Sequence, residues 1–453
     1  MEVTGMLTQG EIALARHCLD HAAACGASKC RISLNKSLME LTATLDGEVD
    51  KVTHALDRSL TLNLLVDGRF GTFSTNRLEK EGLERFTHAA IATVRMLSPD
   101  PCRDLPQKSK KVTGAAGGME LDLFDPDYPS LGLEERRAMA LGSSLWKDRD
   151  SLSHGFTILS EEGEYSDSVY DNVVLDSEGL YCRHTETSFE IGHEITVADP
   201  EGNRFSGYWW DASPRLSGIA GSLRTCSRKA LERAAEQISP RPFKGGKVNV
   251  VVDAECASKL LNPVLAALGG YAVQQKNSFL EGKLGKKVFG PGFTVVDLPH
   301  EKGMTGSRLF DSEGTATAEG PIIENGTVRK YFINTYIANK LGIGATNEDC
   351  TRPKVMPYGE ATTMEQVLAL VGNGIYITGF NGGNSNSSTG DFSYGIEGFA
   401  IEGGRITHPV REMLMTGNFV TLWRNLVSAL DDARPCMSRL VPTLAFVNVD
   451  ING

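Results

Sequence analysis

Apolar residues recur at every second position in long stretches of this chain, and this period constrains the fold more than any other feature. Cys30, Ile32 and Leu34 alternate with polar residues, residues 60–66 repeat the pattern, and residues 154–210 extend it. Successive side chains of a strand point to opposite faces, so the period predicts strands that bury one face of a sheet. Short Asp-, Asn- and Gly-containing turns interrupt the longest stretch. These turns predict antiparallel hairpins rather than crossovers.

A capping box marks the start of the first helix. Thr8 and Glu11 have the spacing of that motif, and Leu7 with Ile12 occupies the positions of a hydrophobic staple. Gly26 is a natural end for the helix. Apolar residues at helical spacing predict further helices at about residues 78–97, 131–146 and 223–238.

The chain of 453 residues exceeds one typical hydrophobic core, which predicts several domains. Residues 98–118 carry prolines, a lysine cluster and a Gly-Ala run, which is typical of a linker. A second boundary is predicted at residues 239–242, Ser-Pro-Arg-Pro. The predicted division is an N-terminal α+β domain, a linker, a middle α+β region with antiparallel strands and a C-terminal, mainly β domain, at residues 1–100, 101–118, 119–240 and 241–453.

The C-terminal third contains many short strands joined by turn signals. A buried-strand run begins it at residues 248–252, and Asn325-Gly326 and residues 402–404 are hairpin signals. Apolar residues from 419 to 430 recur at helical spacing behind Asn418, a favourable N-cap. The fold class predicted for the whole chain is α+β: an N-terminal helix-plus-sheet region followed by a C-terminal domain with a large curved antiparallel sheet.

Charge and hydropathy exclude two classes of partner. The formal net charge is -11, and no segment combines Lys and Arg with aromatics as a nucleic-acid-binding face requires. The longest apolar stretch, residues 260–273, is too short to cross a bilayer and contains Pro263. We therefore expect neither nucleic acid nor a membrane as a partner.

The cysteines and the first residues predict the compartment. Nine cysteines stand singly, without a C-x-x-C pair, which disfavours a disulfide framework and fits a reducing environment. Residues 1–5 lack the basic start of a secretory signal. The predicted location is cytoplasmic.

Local catalytic motifs are missing from the sequence. No G-x-S-x-G, G-x-G-x-x-G or P-loop segment is present. His17 and His21 stand four apart on the first helix and can share a metal ion, although such a pair more often lies at a packed or solvated helix edge. His184, Glu186 and Glu190 share a strand parity, which an exposed polar sheet face also produces. The dipeptides His193-Glu194 and His300-Glu301 are most simply surface residues.

The most specific sequence lies near the C-terminus. Four segments follow one another there: TGDFSYGIEGF at 389–399, ITHPVRE at 406–412, TGN at 416–418 and LWRN at 422–425. This series resembles the end of TldD/PmbA proteins. Three upstream segments are also similar to that family: SFLEGKLG at 278–285, FDSEGT at 310–315 and IENGT at 323–327.

The resemblance implies a specific division of labour. In the TldD branch an H-E-x-x-x-H helix supplies zinc ligands and a general base, whereas this chain has LNPVLAALGG at 261–270 in that neighbourhood. Asn, Pro, Leu and Ala cannot replace imidazole ligands. If a helix forms here, Asn262 would suit its cap and Pro263 its first residue. The chain is then similar to the PmbA, or TldE, subunit, with no catalytic residue, cofactor or metal of its own.

The implied partners are a zinc-bearing TldD-type subunit, a second copy of the chain in a homodimer, or both, enclosing a chamber for unfolded peptides. We expect at least a dimer. Residues predicted to line that chamber or bind peptide are Asn381, Asn384, Asp391, Ser393 and Tyr394, in a segment rich in Asn, Gly and Ser. These are also common turn-forming types, so a purely structural role is the alternative.

Two other functional classes stay open on the residues alone. One is a self-sufficient metallopeptidase whose ligands come from dispersed His and Glu residues. The other is a peptide-binding module without a cleaving partner.

Overall fold

The N-terminal half of the chain is built on one six-stranded antiparallel sheet. The computed structural model describes residues 5–453, so most of the segment searched for a secretory signal lies outside the described residues. In spatial order β3-β2-β1-β4-β5-β6, the strands are β1 (Lys29–Leu45), β2 (Glu48–Val66), β3 (Arg69–Thr75), β4 (Thr157–Asp176), β5 (Tyr181–Ala198) and β6 (Arg204–Ser213). The predicted alternation and hairpins are confirmed.

Helices cover one face of this sheet. They are α1 (Gln9–Ala24), α2 (Lys80–Val94), α3 (Leu133–Leu141), α4 (Arg149–Leu152), α5 (Leu216–Ile219) and α6 (Ser222–Ala235). Ile12 and Cys18 of α1 and Leu83 and Ile91 of α2 pack against apolar side chains of β1 and β2. The four predicted helices, α1, α2, α3 and α6, lie where the apolar spacing places them, with most ends up to five residues shorter, because terminal turns depend on caps and packing as well as periodicity. The short helices α4 and α5 are not predicted.

The capping box of α1 is formed as predicted. The Glu11 N–H donates to Thr8 Oγ1 at 3.1 Å, and the Thr8 N–H donates to Glu11 Oε2 at 2.8 Å. Leu7 and Ile12 are both buried. Gly26 follows the C-cap residue Cys25 with φ at 101°, a conformation that glycine adopts without strain.

The predicted linker does not separate two sheets. β1 pairs along its length with β4, so one sheet includes strands from both sides of residues 101–118. The linker itself is held in place: Lys111 Nζ binds Asp176 Oδ2 at 2.5 Å, and the Val112 N–H donates to Gly314 O at 2.9 Å. Sequence composition indicates a connection, whereas long-range pairing determines whether that connection divides two folding units.

The C-terminal half contains a larger curved sheet and a smaller one. The strands of this half are β7 (Gly246–Val252), β8 (Val295–Asp297), β9 (Gly320–Glu324), β10 (Thr327–Val328), β11 (Pro353–Val355), β12 (Gly374–Phe380), β13 (Asn384–Ser385), β14 (Asp391–Glu402), β15 (Arg405–Asn418), β16 (Leu426–Ala429) and β17 (Leu444–Asn452). The large sheet has the order β12-β7-β17-β15-β14-β13, with β16 paired to β17, and the small sheet has the order β10-β9-β8-β11. All pairings are antiparallel except β7 with β12.

Short helices pack around these sheets. They are α7 (Ser258–Ala267), α8 (Gly270–Gln274), α9 (Thr335–Leu341), α10 (Met364–Val371) and α11 (Phe419–Arg424). Trp423 of α11 stacks on Phe293 with ring centroids 3.8 Å apart and contacts Phe446 edge-on at 5.4 Å. Among residues 5–453, every helix falls short of the length and hydropathy needed to cross a membrane.

Two local predictions about these helices are wrong. The late helix ends at Arg424 rather than near residue 430, because Leu426 begins a strand that pairs with Phe446. The helix that contains Pro263 begins at Ser258, so the proline lies inside it rather than at its first position. Asn262 is therefore not the cap. Local spacing cannot show that a strand partner is available or that packing tolerates an internal proline.

Candidate functional site

The face of the N-terminal sheet opposite its helices carries a cluster of carboxylates. Glu162 and Glu164 of β4 and Glu190 and Glu194 of β5 are exposed on this face. Glu162 stands directly opposite Glu194 in the register of the two strands. Like charges in that position destabilise a sheet. A site that attracts cations or basic side chains would justify this cost.

Aromatic rings continue the same face onto β6. Tyr208 is 52% exposed, and it lies across Gly192 on the neighbouring strand. A Cβ atom at position 192 would meet Tyr208 Oη at 2.7 Å, so a larger residue there would displace the Tyr208 ring from its present position. Trp210 stands two residues along and is partly exposed. The face therefore combines negative charge with rings that can stack on a ligand.

Three cavities meet at Trp210 and form what we call the acidic-aromatic groove. The largest, about 520 Å³, lies over the carboxylates of β4 and β5, and a second, about 360 Å³, shares Glu194, Tyr208 and Trp210 with it. A third, about 390 Å³, shares Trp210 and reaches Ser258 at the start of α7. The second cavity is walled from the C-terminal half by Asp253, Glu255, Tyr376, Glu397 and Phe399. The groove thus lies between the two halves of the chain.

Arg434 joins the two halves beside this groove. Its Nη1 donates to Glu255 Oε1 at 2.7 Å, its guanidinium lies 4.4 Å from the centroid of the Trp209 ring, and its Nη2 donates to Trp210 O. Arg233 Nη1 of α6 binds the other oxygen of Glu255 at 2.6 Å. Burial raises the pKa of Glu255 even with two arginines beside it. These contacts hold the two walls of the groove together.

The helix next to the groove does not fit a catalytic zinc ion. Leu260, Leu261 and Val264 of α7 are fully buried in the C-terminal core, and none of the helix's side chains is an imidazole, thiol or carboxylate. The two acids that precede α7 are already engaged: Asp253 accepts a hydrogen bond from Tyr376, and Glu255 binds two arginines. The donor set that zinc requires is missing at this position.

A buried polar network includes His193, which the sequence analysis predicts to lie at the surface. That prediction is wrong: His193 is 1% exposed, with Nε2 at 2.8 Å from Ser143 Oγ and Nδ1 at 2.8 Å from Ser227 Oγ. Glu161 Oε1 accepts from Ser227 Oγ at 2.5 Å. Ser, His and Glu are the residue types of a hydrolytic triad, but all four side chains are buried. The network instead holds α6 to the sheet. Glu194 is exposed, as predicted.

Thiol catalysis is disfavoured in the groove as well. Cys256 lines the second cavity, and burial together with nearby Asp253 and Glu255 raises its pKa well above the ordinary thiol value. A thiol in that state is not a nucleophile at neutral pH.

The five residues that the sequence predicts to line the peptide chamber lie in or near β13 and β14 of the large C-terminal sheet. Asn381, Asn384, Asp391 and Ser393 are exposed, with Asn384 opposite Ser393 in the β13–β14 pairing. Tyr394 is 2% exposed and stacks on Phe392, so it packs the core instead of offering a contact surface.

One of these residues touches the groove through a neighbour. Asn381 Nδ2 lies 3.4 Å from Glu397 Oε2, and Glu397 lines the second cavity. Asp391 accepts hydrogen bonds from Thr389 Oγ1 at 2.7 Å and Asn418 Nδ2 at 2.9 Å, and Asn418 caps α11. Asp391 therefore has a local structural role.

Comparison with known proteins decides the family. The model of the PmbA/TldA metallopeptidase C-terminal domain matches residues 245–453, and that of the PmbA/TldA metallopeptidase domain 1 matches residues 30–94. A crystal structure from Bacteroides thetaiotaomicron, described as a candidate modulator of DNA gyrase, is 36% identical, covers 99% of this chain and 100% of its own, and superposes with a TM-score of 0.91. The chain belongs to the PmbA/TldD family.

Curated and structural relatives agree with this assignment. Metalloprotease PmbA of Escherichia coli O157:H7 is 28% identical over 422 residues, which cover 91% of each chain. The crystal structure of TldE from Thermococcus kodakarensis shares the fold, with a TM-score of 0.82 at 18% identity, covering 97% of this chain and 100% of its own. The chain thus shares both sequence and fold with members of the PmbA/TldD family.

Sequence reasoning missed most of the groove in this PmbA/TldD family member. On each strand the outward residues recur at every second position: Glu162 and Glu164 on β4, Glu190 and Glu194 on β5, and Tyr208 and Trp210 on β6. This pattern is visible in the sequence. The convergence with Asp253, Tyr376 and Glu397 from the C-terminal half is not visible, because those residues lie far along the chain.

Proposed function

We propose that this chain is the non-catalytic, PmbA/TldE-type subunit of a metallopeptidase system that processes unfolded peptides. The observation that carries the proposal is the apolar, buried α7, which has no zinc ligand where the catalytic branch of the family has its motif. Hydrolysis is then supplied by a zinc-bearing TldD-type subunit. This chain contributes binding surface and encloses the substrate.

The acidic-aromatic groove is the surface that we assign to the peptide. Its carboxylates attract Lys and Arg side chains, its rings stack on apolar and aromatic ones, and main-chain pairing at a nearby sheet edge is indifferent to sequence. Together these favour extended peptides with basic and aromatic residues.

The proposal places the system in the cytoplasm. All nine cysteines are free thiols, which suits a reducing compartment. Because the proposal requires two subunits, we expect at least a dimer. A permanent pair of this kind buries on the order of 2,000 Å² or more.

The test measures turnover of a fluorescent unfolded peptide by the chain alone, by a TldD-type relative from the same genome and by the two together. We expect no chelator-sensitive turnover by the chain alone, and turnover by the mixture that exceeds the sum of the parts. Light scattering should show a joint assembly. Chelator-sensitive cleavage by the chain alone would favour the self-sufficient peptidase, and peptide binding without any joint assembly would favour the binding module.

A further inference from the structure

Three potential metal ligands converge where α1 ends against α2. His21 lies in the last turn of α1, Cys25 is its C-cap residue, and His88 belongs to α2. Among residues 5–453 this is the one group of three or more His, Cys, Asp or Glu side chains whose ligand atoms all lie within 4.8 Å of one another. The sequence shows only part of it, because His88 is far along the chain from the other two.

The distances match those of a tetrahedral metal site. Cys25 Sγ lies 3.5 Å from His21 Nε2 and 3.7 Å from His88 Nε2. Bond lengths of about 2.3 Å to sulfur and about 2.0 Å to nitrogen, at tetrahedral angles, place such atoms about 3.6 Å apart. The ring centroids of His21 and His88 are 5.0 Å apart with their planes at 77°, and the ligand nitrogens of the two rings lie within 4.8 Å of each other.

The surroundings suit a cation. The C-terminal end of a helix carries partial negative charge, and the site lies at that end of α1. One turn earlier, His17 Nε2 binds Glu84 Oε1 at 2.8 Å, and the His17 ring stacks on His21 with centroids 6.0 Å apart. This pair restrains the His21 ring from one side. His88 is exposed, so water can occupy a fourth coordination position.

We propose that His21, Cys25 and His88 bind one zinc ion. The Cys25 thiol loses its proton to solvent as the sulfur–zinc bond forms, and each imidazole donates a lone pair from a neutral ring. The ion joins the end of α1 to α2 and so stabilises the helical layer. The site shares no residue with the acidic-aromatic groove, and it revises the expectation that this chain holds no metal.

Zinc and cobalt titrations of the tag-free, full-length chain test the site. We expect about one equivalent of zinc by elemental analysis after dialysis, and a sulfur-to-metal charge-transfer band with Co²⁺. Cys25→Ser should abolish that band, and both Cys25→Ser and His88→Ala should weaken zinc binding at least about tenfold. The matched control is His54→Ala, because His54 is exposed and binds only Glu40, without a thiol. It should leave binding unchanged.

A second measurement keeps the proposal testable if a variant folds poorly. Zinc should slow alkylation of Cys25 in the unmodified chain, read by peptide mass mapping, while leaving Cys102 unaffected. Less than about a tenth of an equivalent of zinc, a cobalt complex without the sulfur band, or equal alkylation of Cys25 with and without zinc would overturn it. None of these readouts depends on peptidase activity or on a partner, so a failure here leaves the proposed function untouched.

Discussion

Glu11 joins the start of α1 to the sheet through one buried carboxylate. It accepts hydrogen bonds from the Thr8 N–H, from Arg58 Nη1 at 2.9 Å and from Lys36 Nζ at 3.2 Å. Burial alone would raise its pKa, but the Thr8 hydrogen bond and the two cations outweigh it and lower the pKa to about 2. The folded chain therefore favours the ionised form more than the unfolded chain does.

Glu11→Gln should destabilise the fold in a pH-dependent way. Because the folded pKa is lowered, the stabilisation is complete above the unfolded value of about 4.3 and is lost as pH falls towards 2. We expect the free energy of unfolding to fall by about 2 kcal/mol at pH 7, with the difference from the original chain shrinking below pH 4. Denaturant unfolding at several pH values measures this. Glu79→Gln is the control, because Glu79 is exposed and forms no side-chain cap. If the difference in unfolding free energy between Glu11→Gln and the original chain stays constant down to pH 2.5, the mechanism is wrong.

The segment before β14 is a loop held against the rest of the C-terminal half. The Phe279 N–H donates to Ser387 O at 2.9 Å, and Ser387 Oγ donates to Asn277 Oδ1 at 3.0 Å. Beneath it, Phe392 stacks on Phe419 with centroids 4.7 Å apart. The stacked rings under the loop therefore come from residues outside 381–388.

Shortening residues 381–388 should lower peptide turnover by the two-subunit complex while leaving the fold intact. The loop adjoins Glu397 of the groove, whereas the stacked rings below it carry the local stability. Thermal unfolding, partner binding and turnover should be measured separately. Asn277→Ala is the companion variant, since it keeps the loop length but removes the amide oxygen that accepts hydrogen bonds from the loop hydroxyls of Ser387 and Ser388. Unchanged turnover in a stable, partner-binding deletion would show that the segment is no part of the chamber.

Across the molecule, the groove depends on the way the two halves meet. Its carboxylates come from β4 and β5 on one side and from Asp253, Glu255 and Glu397 on the other. A field built from many like charges attracts opposite charge over several ångströms and is screened by salt. The net charge of -11 acts in the same direction.

The double variant Glu162→Gln/Glu194→Gln should weaken binding of a Lys- and Trp-containing peptide by roughly fivefold to thirtyfold at low salt, at about 0.5–1 kcal/mol for each charge. It should also stabilise the sheet slightly, because the opposed charges are removed. Fluorescence anisotropy at two salt concentrations measures the affinity. Glu134→Gln with Glu135→Gln removes the same charge from exposed positions on α3 and serves as the control. Equal affinity for an acidic peptide of the same length would argue against the groove.

Much of the fold and little of the site follow from local sequence. The capping box at Thr8, the alternation in β1 and the Asn325-Gly326 turn each involve only a few consecutive residues. Whether these structures form is therefore determined mainly by residues close in the sequence. The helix that contains Pro263 begins earlier than the local pattern predicts, and residues 426–429 form a strand instead of continuing a helix. Packing in the first case and a distant strand partner in the second outweigh the local pattern.

The sequence alone determined the α+β class, the hairpins and the missing zinc motif, because each depends on residue type and short spacing. Only the tertiary structure decided that one sheet continues past residues 101–118, that Tyr394 faces the core, and that three cavities meet at Trp210. It also brought His88 to His21 and Cys25. The physical reason is the same in each case: the distance between remote side chains is set by strand register and helix packing, which the whole chain determines together.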